Sequence, residues 1–357
     1  MWNTKMTVTE YGGPEVLKAI QEPICTPEVD EVRVRVQSVG VALADIMRRE
    51  GLYPMSPKVP FVPGYDAVGI VEEVGDAVDD YVAGDRVAVF FNGTGSYASH
   101  VYARVDELVP IPAQIDAAEA AASILNYVTA YQMLHRIAKV AEGERILIHG
   151  ASGGVGTALL DLGRLAKLKM YGTASAAKHQ VVAAYGAMPI NYRAEDFVEV
   201  LAQAAPEGMD AVFDPIGGSN WKRSMRTLSS KGRFVGYGYT SVLEKDHHAN
   251  DWVKDWTGTA ARGTTESGNS VYMYSITALK KDRLDWFRED VQSVMSLLVA
   301  GEIHPLISHR IPLQEAAQAQ QLLTGSHSIG KIVLVTEEQS RQREGARGCI
   351  PLEKRRD

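Results

Sequence analysis

RILIHGASGGVG, residues 145–156, decides how this chain is read. Residues 145–149 form a short apolar run of strand length, and the glycine-rich turn follows at once. Beyond it Val155, Ala158, Leu159, Leu162, Leu165 and Ala166 recur at the 3.6-residue period of a helix with one buried face. Strand, glycine turn and helix in that order are the context in which G-x-G-x-x-G becomes a dinucleotide fingerprint. Its three positions fall on Ala151, Gly153 and Gly156, with alanine replacing the first glycine. Glycine at the second lets backbone approach a pyrophosphate; glycine at the third lets the helix close on the strand. Ser152, Gly153, Gly154, Val155 and Gly156 thus become the expected phosphate cradle, at a helix N-terminus whose free N–H groups suit an anion.

The following strand, expected over 170–173, bears on which nucleotide binds. NAD-specific sites place an Asp or Glu about twenty residues past the turn for the ribose 2′-hydroxyl. This chain has Thr173, Ala174 and Ser175 there, followed by Lys178. A hydroxyl and an ammonium in place of a carboxylate suit a 2′-phosphate, so the expected cofactor is NADPH. The bland alternative makes Lys178 a solvated residue of the next helix.

A second motif overlaps the first. Residues 150–154 also spell G-x-S-x-G, the nucleophile elbow of α/β-hydrolases. That reading would make Ser152 the nucleophile of a serine hydrolase and draft Asp214 with His247 or His327. It leaves Gly156 unexplained, and no oxyanion segment of the HGGG type precedes the turn.

Composition sets bounds. The chain has 357 residues, enough for two domains, and a formal net charge of −7 that excludes nucleic-acid binding by global electrostatics. There is no apolar run of membrane-spanning length and no signal-peptide core at the N-terminus. Cys25 and Cys349 are the only cysteines, which excludes a disulfide framework and fits a cytoplasmic setting.

The N-terminal third reads as β-rich: Val32, Val34 and Val36 alternate with Arg33, Arg35 and Gln37. After the fingerprint, strands are expected over 170–173, 211–213, 233–237 and 271–276, giving an α/β unit with a parallel, doubly wound sheet. A long helix is expected over 282–300, with Trp286, Phe287, Val291, Val294, Met295 and Leu298 on one face. The polar stretch 242–270 reads as a loop excursion anchored by Trp252 and Trp256, and the charged segment 337–357 as a loosely attached tail.

With these modules placed, the chain resembles the medium-chain dehydrogenase/reductase superfamily, in its zinc-free quinone oxidoreductase branch. The resemblance rests on GVALADIMRREGLYP (40–54), VPGYDAVGIVEEVG (62–75), GDRVAVF (84–90), NYVTAYQML (126–134), GTASAAKH (172–179), DPIGG (214–218), GRFVGYG (232–238) and IGKIVLV (329–335), in order along nearly the whole sequence. It implies a GroES-like catalytic domain over 1–124, a Rossmann domain over 125–278, a helix and return to the catalytic domain over 279–336, and a tail over 337–357. Where zinc-dependent members carry Cys, a His-Glu pair and Cys, this chain has Ala42, Tyr65-Asp66 and Leu125, so no metal is expected.

Without a Lewis acid, electron-poor acceptors remain, namely quinones and α,β-unsaturated carbonyls. The resemblance makes Tyr53 the candidate proton donor or oxyanion partner; the alternative is an aromatic packing residue at the cleft wall. Met47 replaces a second cleft tyrosine, which implies a more apolar pocket. By the same resemblance Thr129 lies near the nicotinamide ribose. Ser175, Lys178 and Tyr192 surround the adenosine phosphate, and Gly238 and Tyr239 flank the nicotinamide. Lys331 touches the cofactor through its backbone. Two other functions stay open: a nucleotide-binding protein without turnover, and an enoyl reductase of a biosynthetic pathway. Members of this superfamily commonly join Rossmann sheets through the last strand, so a homodimer through 271–276 is expected.

Overall fold

The computed structural model describes residues 1–244, 248–325 and 328–336. An N-terminal ribbon pairs β1 (Trp2–Val8) with β2 (Leu17–Pro23). Next come β3 (Glu31–Val41), β4 (Asp66–Val74), β5 (Arg86–Phe90), β6 (His100–Arg104) and β7 (Leu108–Pro110). The Rossmann unit holds β8 (Arg145–Ile148), β9 (Lys169–Ala174), β10 (Met188–Asn191), β11 (Met209–Asp214), β12 (Leu228–Gly236) and β13 (Ser270–Met273). Two last strands, β14 (Ile307–Pro312) and β15 (Lys331–Val335), complete the chain's described part.

β8 to β13 form one parallel sheet in the order β10-β9-β8-β11-β12-β13. The order reverses beside β8, and ligands of such sheets bind at the carboxyl ends of the strands at that crevice. The second sheet runs β14-β15-β3-β4-β5-β7, with β6 also on β3. β15 pairs antiparallel with β3, so the C-terminal return is hydrogen-bonded into the N-terminal sheet.

The helix Ala117–Tyr131 joins the two halves. Asp116 caps it, accepting from the N–H groups of Ala118 and Glu119, and its alanine-rich sequence is buried nearly all round, as a helix between two layers must be. One apolar core runs from Tyr65, Val68 and Phe90 through this helix to Leu159, Phe213 and Phe287, so the sheets share it.

Three local expectations need correcting. The strand drawn over 271–276 stops at Met273: Tyr274 turns inward, and Ser275 caps the helix Ile276–Asp282. Alternation of apolar residues imitated a strand, although the last two are buried against helices. Stretch 242–270 is not a loop excursion, because Ala249–Arg262 is a helix that Trp252 anchors in the core and left-handed Gly263 ends. The helix drawn over 282–300 spans Leu284–Val299, separated from its predecessor at Arg283. The tail 337–357, His247 and His327 lie outside the described residues.

Candidate active site

The phosphate turn follows its fingerprint down to single atoms. Helix Gly154–Leu165 starts at Gly153, in extended conformation with no side-chain cap, which leaves its first N–H groups facing the crevice. A Cβ on Gly156 would lie 2.2 Å from Gly150 O, so this glycine is imposed by helix-on-strand packing. A Cβ on Gly153 would meet only Gly150 O, at 3.3 Å, a close contact that a shift of a few tenths of an ångström would relieve. Alanine is tolerated at the first position because Gly150 (φ +64°) takes the left-handed turn and Gly172 across the sheet leaves room for the Ala151 methyl.

Beneath the turn lies a buried polar chain the sequence reading did not anticipate. Gly150 N–H donates to Thr173 Oγ1 (3.3 Å), which meets His149 Nδ1 at 3.1 Å. His149 Nε2 lies 2.9 Å from Ser224 Oγ, and Ser224 donates to Asp214 Oδ2 at 2.6 Å. Burial holds the imidazole below its ordinary pKa, with Asp214 opposing. Asp214 also accepts from Ile216 N–H and Asn220 Nδ2, so it organises the β11 loop and serves Ser224 rather than Ser152. Both Asp214 oxygens are thus engaged within this network, while the two histidines drafted with it lie outside the described residues.

At the end of β9, Thr173 is buried as a brace. Ser175 begins the short turn Ala176–Lys178, and Lys178 Nζ donates to Ser328 O at 2.9 Å, tying the return segment to the turn. Partial burial lowers the Lys178 pKa, and the guanidinium of Arg193 adds to the effect. Arg193 lies beside Tyr192 (Nε to Oη 3.4 Å), which is 54% exposed. Lys178, Tyr192 and Arg193 therefore gather at one corner; the sequence reading named the first two and missed Arg193, the next residue along.

Lys331 is placed differently from expectation. Its N–H is engaged by Leu306 O and its carbonyl by Ser308 Oγ, while Gly330 makes the contact with the turn through Ser152 O at 2.9 Å. The buried Lys331 ammonium points into the GroES-like half, where it opposes the burial that raises the Asp66 pKa.

Thr129 is buried, with its side chain near the Tyr274 hydroxyl. That hydroxyl donates to Gln132 Oε1 (2.7 Å), and Gln132 donates to Asp290 (2.9 Å). Gly238 packs on Pro215. The Tyr239 ring is buried, stacked on Trp252 (5.8 Å, 13°) and edge-on to Trp221 (5.4 Å, 85°), with its hydroxyl donating to Asp255 at 2.6 Å. The Tyr239 side chain thus anchors the helix Ala249–Arg262 and leaves only backbone to face a ligand.

Tyr53 stands between the halves. Its ring packs edge-on against Trp252 (4.8 Å, 75°), and the Arg48 guanidinium lies 3.8 Å from its centroid. Arg48 donates to the Tyr65 hydroxyl and to Asn92 O (3.3 Å). Met47 is buried in the same aromatic cluster, so it packs the wall. Among the described residues no three His, Cys, Asp or Glu side chains gather as a metal site.

Residues 28–113 match the alcohol dehydrogenase GroES-like domain family, and residues 185–334 match the zinc-binding dehydrogenase family. The mouse synaptic vesicle membrane protein VAT-1 homolog is 33% identical over 92% of this chain and 83% of its own length. The quinone oxidoreductase of Lama guanicoe is 31% identical over 92% and 96%. The crystal structure of Escherichia coli quinone oxidoreductase complexed with NADPH superposes with a TM-score of 0.82, at 29% identity over 93% of this chain and 99% of that one. The chain belongs to the zinc-free quinone oxidoreductase branch of the medium-chain dehydrogenase/reductase superfamily. Its GroES-like sheet with a C-terminal return and its Rossmann sheet are the architecture of that superfamily.

Proposed function

We propose that this protein is a zinc-independent NADPH-dependent reductase of quinones or α,β-unsaturated carbonyl compounds. The observation that carries the reading is the corner after β9, where Lys178 and Arg193 converge beside Tyr192 and no carboxylate stands for a ribose 2′-hydroxyl. The residues fit the dinucleotide. Gly153 leaves backbone room for a pyrophosphate, the uncapped helix start supplies N–H donors, and Lys178 with Arg193 supplies charge for a 2′-phosphate.

Bound there, a reduced nicotinamide supplies the hydride. The chain's own residues orient it and shape the acceptor side: Thr129 and Gly238 border the ring, and Tyr53 presents a hydroxyl to the acceptor oxygen. Ala42, Tyr65 and Leu125 offer no thiolate or imidazole for a catalytic metal, so acceptors whose conjugation spreads incoming charge are favoured over simple ketones.

The deciding assay follows NADPH and NADH oxidation with a quinone, an enone, an enoyl thioester and a simple ketone, with and without a chelator. Rapid, chelator-resistant, NADPH-selective turnover of the first two is expected. Tight NADPH binding with no turnover of any acceptor favours the non-catalytic reading, and turnover of the thioester alone favours the enoyl reductase.

The proposed assembly is a homodimer through β13. That edge is shorter than the sequence suggested, and its Val271 N–H is already engaged by Gly263 O within the chain. By strand alternation Met273 remains on that side for pairing, whereas the backbone of Tyr272 faces β12. Light scattering should give twice the 38.9 kDa chain mass; a monomer would overturn the assignment.

A further inference from the structure

Three adjacent strands of the Rossmann sheet are tied together by side chains at their carboxyl ends. His149 follows β8, Thr173 stands near the end of β9, and Asp214 ends β11; β9, β8 and β11 are neighbours in that order. Ser224, from the helix Ser219–Met225, stands between His149 and Asp214. All four side chains are buried. Main-chain bonds hold part of the glycine turn: His149 N–H donates to Phe213 O, and Ala151 N–H to Thr173 O. Gly150, between them, gives its N–H to the Thr173 side chain instead.

Every hydrogen in this tie has one assignment, and it starts at Asp214. The carboxylate accepts from Ile216 N–H (2.7 Å), Asn220 Nδ2 (2.8 Å) and Ser224 Oγ (2.6 Å). Ser224 has a single hydrogen and places it there, so at 2.9 Å its oxygen accepts from His149 Nε2. A neutral imidazole with its hydrogen on Nε2 carries a lone pair at Nδ1. Thr173 Oγ1, 3.1 Å from Nδ1, donates to it and keeps its own lone pairs for Gly150 N–H. Burial disfavours a second proton on the ring more than Asp214, 3.9 Å away, favours it, and Arg223 acts with burial. Phe197 packs edge-on against the imidazole (4.7 Å, 78°), with the Arg223 guanidinium 4.6 Å from its own centroid.

We propose that His149, in this one tautomer, is a positioning residue for the dinucleotide: through Ser224 and Thr173 it joins the β11 loop to Gly150 N–H and fixes the turn that carries the phosphate cradle. The proposal rests on the NADPH reading above. Gly150 is the left-handed residue of that turn, and its carbonyl receives Gly153 N–H at 2.9 Å. Held at both its N–H and its carbonyl, it presents residues 152–156 in one arrangement, which lowers what binding must order. The far end of the tie reaches residues 214–218, where Pro215 packs on Gly238, the glycine that the proposed function sets beside the nicotinamide. One imidazole thereby connects the loop meant for the pyrophosphate with the loop meant for the reacting ring.

The two ring nitrogens can be removed separately. His149→Asn keeps an oxygen in place of Nδ1, the acceptor for Thr173. His149→Gln keeps an N–H in place of Nε2, the donor to Ser224, and His149→Phe keeps neither. NADPH affinity, read by calorimetry, should fall about tenfold or more in His149→Phe and His149→Gln, where Thr173 O–H loses its acceptor. In His149→Asn it should fall no more than about threefold. Thr173→Ser should resemble wild type, and Thr173→Val should resemble His149→Phe. Ser224→Ala should weaken binding about threefold on its own and add nothing to His149→Asn, whose shorter side chain no longer reaches Ser224.

A second readout needs no cofactor. With 15N in the imidazole, NMR of the free protein at neutral pH should show the hydrogen on Nε2 and none on Nδ1, and Ser224→Ala should let the other tautomer appear. The Gly150 amide signal should move in His149→Phe and stay near its wild-type position in His149→Asn. If wild-type protein binds neither NADPH nor NADH, the cofactor reading fails, while the tautomer and the Gly150 amide still test the tie. A hydrogen on Nδ1 in wild type, or a Gly150 amide unmoved by His149→Phe, overturns the proposal. Equal losses of affinity in His149→Asn and His149→Phe, or losses that merely track Tm across the variants, do so as well.

Discussion

The glycine turn after β8 and the aromatic wall around Tyr53 are built in opposite ways. Between Gly150 and Gly156 the site is backbone: its requirements are absent side chains, one left-handed residue and an uncapped helix start. At the wall the site is side chains, with Arg48, Tyr53 and Tyr65 brought together from separate segments and braced by Trp252 from the other half. Local backbone geometry is written in contiguous residues. Convergent side chains depend on how distant segments pack, which allows such a wall to vary while the turn stays the same.

The largest effect expected comes from separating the two glycines of the turn. Gly156→Ala places a methyl against backbone that cannot yield, 2.2 Å from Gly150 O, and should destabilise the protein by about 3 kcal/mol or more while abolishing cofactor binding. Gly153→Ala makes one close contact, 3.3 Å to Gly150 O, and should lower Tm far less than Gly156→Ala. It should still weaken NADPH roughly a hundredfold, because only the bound pyrophosphate needs that space. Calorimetry beside a cofactor titration reads both. Equal losses of stability would mean that Gly153, too, is a packing glycine.

The same division explains what was legible in the sequence. The strands β8, β9, β11 and β12, the helix Gly154–Leu165 and the role of Gly156 followed from periodicity and one motif, because each depends on neighbours within a few residues; the strand Met188–Asn191 and the order across the sheet did not. The Ala249–Arg262 helix did not. Its polar face and three nearby glycines resemble a loop until Trp252 and Tyr239 are seen to stack across a sequence gap. Arg193 was hidden by standing beside the more conspicuous Tyr192. Lys331 was placed near the cofactor by resemblance, and nothing in the sequence showed that its ammonium lies beside the buried Asp66 and Asp45. His149 carried no signal beyond its place at a strand end; only the fold brings Ser224 and Asp214 to it.

A smaller effect probes the corner after β9, where the proposed function puts a 2′-phosphate. Lys178→Ala removes a charge-assisted hydrogen bond worth about 1.5–3 kcal/mol, so NADPH affinity should fall roughly ten- to hundredfold while NADH affinity barely changes. Arg193→Ala should act in the same sense but less, since its side chain is exposed and screened by solvent. Because the two cations repel, Arg193→Ala should also raise the Lys178 pKa. Titration by cofactor fluorescence at two ionic strengths measures these terms. Equal losses for NADPH and NADH would show that Lys178 holds the return segment through Ser328 rather than a phosphate.

The smallest effect expected lies behind the aromatic wall, and it concerns stability rather than binding. Asp45 is buried, accepting at one oxygen from Ala42 N–H (2.8 Å) and Tyr97 O–H (3.0 Å), and burial raises its pKa to about 6. The Ala42 hydrogen bond, Lys331, Arg48 and the Tyr97 hydroxyl pull the other way without restoring the ordinary value of 3.8. A carboxyl that ionises later when folded than when unfolded favours the folded state in its protonated form. Its contribution is complete below about pH 4 and is lost as pH rises through about 6. The stability difference between wild type and Asp45→Asn should therefore shift by about 1 kcal/mol between roughly pH 5 and pH 7, with wild type relatively more stable at the acid end. Urea unfolding at the two pH values measures it. A pH-independent difference would show that Lys331 and Arg48 hold Asp45 ionised throughout, making the region behind the wall a settled ion-pair cluster instead of one carrying an uncompensated buried acid.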